Sequence, residues 1–152
     1  MRCTIGSIVG SFFLLFTLVV ARGETPVEIE NAWVRAVPPG STATAAYMRI
    51  RNPGAAPVVL TKAKVSFAKI VRPMITVRKE VDGKEVSGME FVEALEIPAR
   101  GEALLEPGGD HLMFMEMTDI PSPGDIVEVT LIFEPGSDEI TIEVPVAKAA
   151  PK

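Results

Sequence analysis

A chain of 152 residues with 20 acidic and 15 basic side chains carries a formal net charge of −5. That length fits a single domain, and the acidic balance argues against nucleic acid or anionic lipid as partners. With one histidine and one cysteine, neither a Ser-His-Asp nor a Cys-His arrangement is well supported, and the chain is not read as an enzyme.

The N-terminus reads as a secretory signal over residues 1–23. Arg2 gives a short positive region, and Ile5 to Val20 form an uncharged apolar run. Val19-Val20-Ala21 and Ala21-Arg22-Gly23 both offer small residues for cleavage, after Ala21 or after Gly23. The run falls short of the roughly 20 residues that span a bilayer, so an uncleaved anchor is the lesser alternative. Cys3 precedes the apolar run rather than following it, which argues against a lipoprotein, and there is no twin-arginine pair. Cleavage after Gly23 removes Arg2, Arg22 and Cys3, taking the net charge from −5 to −7 and leaving no cysteine. A periplasmic location follows, and an oxidising compartment converts thiols to disulfides. A thioether carrier avoids that fate. The expected organisation is one β domain over 24–148 and a frayed tail over 149–152, with no membrane contact after cleavage.

Along the chain the pattern is β throughout. Val27-Glu28-Ile29-Glu30 alternates apolar and polar residues, and Ala46 to Arg51 and Val58-Val59-Leu60 follow. The apolar-rich segment Val65 to Val77 ends in a charged hairpin, Lys79 to Lys84. Its Asp82-Gly83 pair is the two-residue turn signal for a hairpin. Glu90, Glu93 and Glu96 are expected on a solvated strand face. Val127, Val129, Leu131 and Phe133 form one side of a strand, and Pro135-Gly136-Ser137 returns the chain to Ile140, Ile142, Val144 and Val146. Thirteen prolines and twelve glycines suit many short strands, and turn signals about every 8–12 residues point to a sandwich or barrel.

Between these hairpins lies Asp110-His111-Leu112-Met113-Phe114-Met115-Glu116-Met117, holding the only histidine of the chain. Strand alternation puts His111, Met113, Met115 and Met117 on one face, with Leu112, Phe114 and Glu116 on the other. An imidazole among thioethers is a soft donor set, and that favours Cu(I) over Cu(II) or zinc. Methionine in a β protein is usually a core filler. Met48 is therefore expected in the core, Met115 more in the core than bridging to a metal, and Met117 in either role. Trp33 is expected in the core or over the end of the sandwich, and Arg35 as a brace for the Pro38-Pro39 turn. A blue-copper electron carrier is excluded, since it needs two histidines and a cysteine.

Three stretches carry a family resemblance: Asn31-Ala32-Trp33-Val34-Arg35-Ala36-Val37-Pro38-Pro39-Gly40, Ala45-Ala46-Tyr47-Met48-Arg49-Ile50-Arg51-Asn52, and Glu106-Pro107-Gly108-Gly109-Asp110-His111-Leu112-Met113. From about Val27 to Val146 the chain resembles the periplasmic copper chaperones of the PCu(A)C family. The resemblance implies an all-β, cupredoxin-like or immunoglobulin-like Greek-key β-sandwich. It also implies a Cu(I) carrier that supplies a recipient cuproprotein, such as the copper centre of cytochrome c oxidase, or another copper chaperone. That family's motif is a histidine, ten residues, a methionine, twenty-one residues, then His-x-Met. The second half is intact: Met89, twenty-one residues, then His111-Leu112-Met113. Met89, His111 and Met113 carry over as metal ligands.

The first half departs from the pattern, because counting ten residues back from Met89 reaches Arg78. Aligning from the strand at Leu60 instead brings Met74 to the place of the missing histidine, with a longer hairpin before Met89. Met74 is favoured as the fourth ligand, since an arginine beside a cation repels it unless Glu90 or Asp110 neutralises it. Thioethers bind at any pH while His111 must be neutral, so affinity should fall only modestly on acidification. The acidic surface is expected to attract a cation or to dock on a basic protein. The competing reading is a β-sandwich interaction or assembly module that has lost part of its copper site.

Overall fold

The computed structural model describes residues 27–152. The expected signal segment 1–23, its two cleavage points and Cys3 lie outside these residues. Ten strands follow in chain order: β1 (Glu28–Arg35), β2 (Ala43–Asn52), β3 (Val58–Lys64), β4 (Ala68–Val81), β5 (Lys84–Phe91), β6 (Leu95–Ile97), β7 (Gly101–Leu105), β8 (His111–Met117), β9 (Ile126–Glu134) and β10 (Asp138–Ala147). The described residues contain no helix.

Neighbouring strands run β5-β4-β8-β2-β1 and then β10-β9-β3-β6, with β7 paired to the second half of β2. Every pairing is antiparallel except the short parallel join Val34↔Val146 and Arg35↔Ala147, where β1 meets β10. The chain is thus one continuous sheet folded into two layers, an all-β sandwich. The core between them is apolar: Met48, Ile50, Leu60, Leu112, Phe114, Leu131, Phe133 and Val144 are all at most 1% exposed. Phe114 meets Phe67 edge-on, with ring centroids 5.4 Å apart.

Local chemistry explains the expected hairpins. Asp82 and Gly83 take φ of 51° and 72°, the doubly left-handed conformation of a type I′ turn, whose twist matches the strands it joins. The Pro135-Gly136-Ser137 turn joins β9 to β10, and Ser137 donates to Glu134 through its hydroxyl at 2.8 Å. Val129, Leu131, Phe133, Val144 and Val146 then face the core as their alternation requires.

Two expectations are corrected and a third is refined. Met117 does not stay beside His111: Glu116 adopts φ of 52°, which breaks the alternation, and Met117 packs against the same core as Phe114. Glu90, Glu93 and Glu96 do not share a strand face. Glu90 lies on β5 and Glu96 on β6 in the other layer, because the chain crosses between layers around Glu93. Trp33 is buried, but not between the layers. A register shift between Glu30 and Trp33, with Asn31 at φ 52°, rotates it outward into a small separate cluster with Ala45 and Tyr47. Met48 lies in the core as expected.

Asn52 ties this frame together at the far end of β2. Its amide donates to the carbonyls of Ala56 (2.8 Å), Ile97 and Pro98 (both 3.2 Å), and its oxygen accepts from Gly54 N at 3.0 Å. Removing a buried side chain with this many partners strands each of them. Asn52→Ala is expected to cost about 2–4 kcal/mol, and Phe114→Ala about 3–5 kcal/mol through the cavity it leaves. Glu85→Ala on the exposed hairpin should stay within about 0.5 kcal/mol. Urea midpoints of the three variants check that order.

Candidate metal site

The site grows out of the turn between β7 and β8. Gly109 N donates to Glu106 O at 2.9 Å, and Glu106 N donates to Asp110 O at 2.9 Å, closing a tight loop. Gly108 takes φ of 83° at its tip, a conformation that glycine adopts without penalty. The loop is pinned sideways as well, because the Asp110 carboxylate accepts from Thr76 N on β4 at 2.7 Å. His111 follows at once, 8% exposed, with Nδ1 3.0 Å from Gly109 O. A carbonyl can only accept, so Nδ1 carries the hydrogen and Nε2 keeps its lone pair. This is the arrangement by which a backbone carbonyl fixes the tautomer and orientation of a metal-binding imidazole.

Strand register then decides which thioethers surround that imidazole. On β8, Leu112 and Phe114 are fully buried in the core, so His111 and Met113 point out of the sandwich. Met74 on β4 stands directly opposite His111. Directly opposed residues share a face, with Cβ atoms about 4.5–5.5 Å apart. On the next strand out, Phe91 opposes Met74 and Met89 opposes Thr76, so Met89 also lies on this face, diagonal to Met74. It is 46% exposed, yet its side chain joins His111, Met113, Tyr47 and Gly108 in lining one groove of about 340 Å³. Three of the four expected ligands, Met89, His111 and Met113, therefore meet at this groove. Met74, half-buried between β8 and β5, sits opposite His111 but is not among the residues that line it. Met115 is half-buried one step further along β8, in register with Ile70 and Ala43.

Arg78 is held elsewhere. It opposes Ser87 near the hairpin tip and pairs with Glu85 at 3.6 Å, outside the groove. Neither of the carboxylates expected to neutralise it does so: Glu90 pairs with Lys79 and Asp110 with the Thr76 amide.

Arg35 departs from expectation in the opposite direction. Ser41, not Arg35, braces the Pro38-Pro39 turn, its amide and hydroxyl donating to Pro38 O at 3.2 and 2.7 Å. The Arg35 guanidinium instead lies over the Tyr47 ring, 5.3 Å from its centroid, and lines the groove. Tyr47 lies between Trp33 (centroids 4.8 Å apart) and His111 (6.2 Å), tilted to both rings. Burial raises the Tyr47 phenol above its ordinary pKa, with Arg35 only partly opposing, so Tyr47 meets the groove as a neutral group.

Two participants went unread in the sequence, Tyr47 in the groove wall and Thr76 in the brace beneath it, and two were read in other roles, Arg35 in the wall and Asp110 in the brace. Thr76 Oγ1 is also buried without a hydrogen-bond partner, an orphaned polar atom on the residue facing Met89. The Asp-His pair was the available signal for the brace, but its partner lies 34 residues away. Among the described residues no three His, Cys, Asp or Glu side chains gather as a metal site; the donors near His111 are thioethers.

Comparison with known proteins agrees with this architecture. The solved structure titled "Copper-bound PCuAC domain from PmoF2" superposes with a TM-score of 0.66 at 24% identity, covering 81% of this chain and 93% of that domain. At that identity the likeness is one of fold. The Cu(I) form of DR1885 from Deinococcus radiodurans gives a TM-score of 0.65 at 30% identity over 85% of this chain and 83% of its own. In sequence, a protein of Leifsonia xyli subsp. xyli (strain CTCB07), named "Putative lipoprotein Lxx21020", is 34% identical over 120 residues, 79% of this chain and 69% of that protein. The family described as "Putative lipoprotein LpqE-like" matches residues 27–146, from the start of β1 almost to the end of β10. The chain belongs to the LpqE-like family, on a fold shared with copper-binding PCuAC domains.

Proposed function

We propose that this protein is an exported Cu(I) chaperone. It carries one copper ion on Met89, His111 and Met113, with Met74 as fourth ligand, and releases it to a recipient cuproprotein by ligand exchange. The observation that carries this reading is the groove itself. One imidazole, its Nδ1 held by the Gly109 carbonyl so that Nε2 is left for a metal, meets two thioethers at the surface, with a third directly opposite in register. Thioether and imidazole donors suit Cu(I), and the exposure of Met89 leaves one ligand accessible to an incoming group. Two solved relatives of the same fold are described with copper bound, the PmoF2 domain and the Cu(I) form of DR1885. The periplasm and the copper centre of cytochrome c oxidase are the proposed compartment and destination. The lipoprotein names of the sequence relatives fit export.

Anaerobic competition of the chain lacking residues 1–23 against a coloured Cu(I) chelator tests the reading. One equivalent should bind with sub-nanomolar affinity. His111→Ala and Met89→Ala should each lose more than the roughly 10–100-fold that follows loss of an outer hydrogen-bond partner in a metal site. Absence of binding above background would sink the chaperone reading and favour an interaction module, an outcome compatible with Arg78 standing where the copper motif has a histidine.

The fourth position has its own test. Met74→Ala should weaken Cu(I) by more than tenfold, whereas Arg78→Ala should change it within about threefold, the scale of an exposed ion pair. The reverse order of effects would place the ligand sphere closer to the hairpin tip than the register indicates.

A further inference from the structure

The groove has an unexpected charge. No carboxylate among the described residues lines it, and the one charged side chain in its wall is Arg35, although the chain as a whole is acidic. Among the described residues Arg35 has no ion pair; its guanidinium lies over the Tyr47 ring, and its carbonyl accepts from the Thr44 hydroxyl at 2.6 Å. The remaining groups facing the copper position are neutral. Met89, Met113 and Met74 are thioethers, His111 binds as the neutral imidazole, and Tyr47 is a buried phenol. Copper held there alone keeps its full positive charge in a groove whose wall carries a guanidinium. Arg72, in register with Met113 on the same face, adds a second arginine, and its only counter-charge is Glu93 at 4.0 Å on a side chain 95% exposed. The acidic groups nearby look elsewhere: Asp110 onto the Thr76 amide and Glu90 onto Lys79.

This is the wrong charge for collecting a free cation and the right one for holding an anion. The space agrees, since about 340 Å³ is room for several groups the size of a water, which takes roughly 30 Å³ in the liquid. Resting on the copper-carrier reading above, we propose that the groove binds Cu(I) together with one soft, negatively charged co-ligand, a halide or a thiolate, seated between the metal and Arg35. The co-ligand bonds to copper as an electron-pair donor, no electron is transferred, and the pair enters or leaves with its charges balanced. Arg35 is a positioning residue: it touches the co-ligand and not the metal. A carrier built this way exchanges copper with thiolate-bearing donors and recipients more readily than it scavenges the aqueous ion.

The test compares the wild-type chain with Arg35→Gln and the charge-retaining Arg35→Lys, each loaded with Cu(I) in nitrate buffer and desalted. Bromide at constant ionic strength is then added, and X-ray absorption at copper reports whether a bromide is bound to it. In a parallel arm glutathione is added, and native mass spectrometry reports a protein–copper–glutathione complex. Wild type should take up bromide, glutathione or both, and the arm that responds identifies the source of the anion. Arg35→Gln should need on the order of tenfold more anion for equal occupancy, with Arg35→Lys restoring most of the difference. Copper retained in nitrate but never joined by either anion would overturn the co-ligand and leave the carrier reading standing, as would equal uptake by Arg35→Gln. Failure of wild type to retain copper in nitrate and in bromide alike would overturn both. A circular dichroism spectrum matching wild type confirms that Arg35→Gln is folded, and the Arg35→Lys comparison stands independently of it.

Discussion

The molecule depends on β8 being an interior strand whose two faces belong to different environments. It is paired to β4 on one side and β2 on the other. Leu112 and Phe114 anchor it in the core at 0% exposure, and that anchoring fixes the direction in which His111 and Met113 point. A one-residue slip would exchange the faces, burying an imidazole and a thioether and exposing a phenylalanine, so core packing forbids it. The proposed metal ligands therefore need no separate scaffold. Their orientation is a by-product of the sandwich's own hydrophobic demand, and only the loop hydrogen bonds accepted by the Gly109 carbonyl and the Asp110 carboxylate are added to it.

Those loop bonds divide the work between rigidity and exchange. His111 is nearly buried and fixed through both its ring nitrogen and the neighbouring carboxylate, while Met89 stands half-exposed on the edge strand β5. A fixed imidazole lowers the ordering cost of binding. In the proposed carrier, the half-exposed thioether on an edge strand is the ligand that an incoming donor displaces without disturbing the ladder. On that reading, affinity and transfer draw on different elements of one face.

Much of the frame was legible because its signals are local. The Asp82-Gly83 turn and the alternating runs of β9 and β10 each follow from neighbours in sequence, and the structure reproduces them. Met89, His111 and Met113 were legible through the spacing of a known motif, and the groove brings them together. What stayed hidden depends on bulges and on distant partners. Nothing in Met115-Glu116-Met117 announces that Glu116 turns left-handed and sends Met117 into the core. Nor does Asn31 announce the shift that carries Trp33 to the outer face. Arg35 beside Pro38-Pro39 reads locally as a turn brace, and only the pairing Trp33↔Tyr47 brings Tyr47, and with it the groove, beneath its side chain.

Register also explains why the copper motif was legible in one half and not the other. The twenty-one residues between Met89 and His111 span a whole excursion through β6 and β7 whose ends are fixed by pairings in both layers, so its length is constrained by the fold. The segment before Met89 is a single hairpin that projects beyond its neighbours, since β8 stops pairing with β4 at Met74↔His111 while β4 and β5 continue to Val81↔Lys84. A free-standing hairpin accepts added pairs at little cost, and each added pair moves the sequence spacing without moving the base. At the base the residue opposite His111 is Met74, whatever the count from Met89. A thioether there is half-buried, uncharged and needs no proton removed. The absence of a histidine at the motif spacing is therefore compatible with the proposal that Met74 is a soft ligand at the structural position, because the fold fixes positions at the base of the hairpin and leaves its length free.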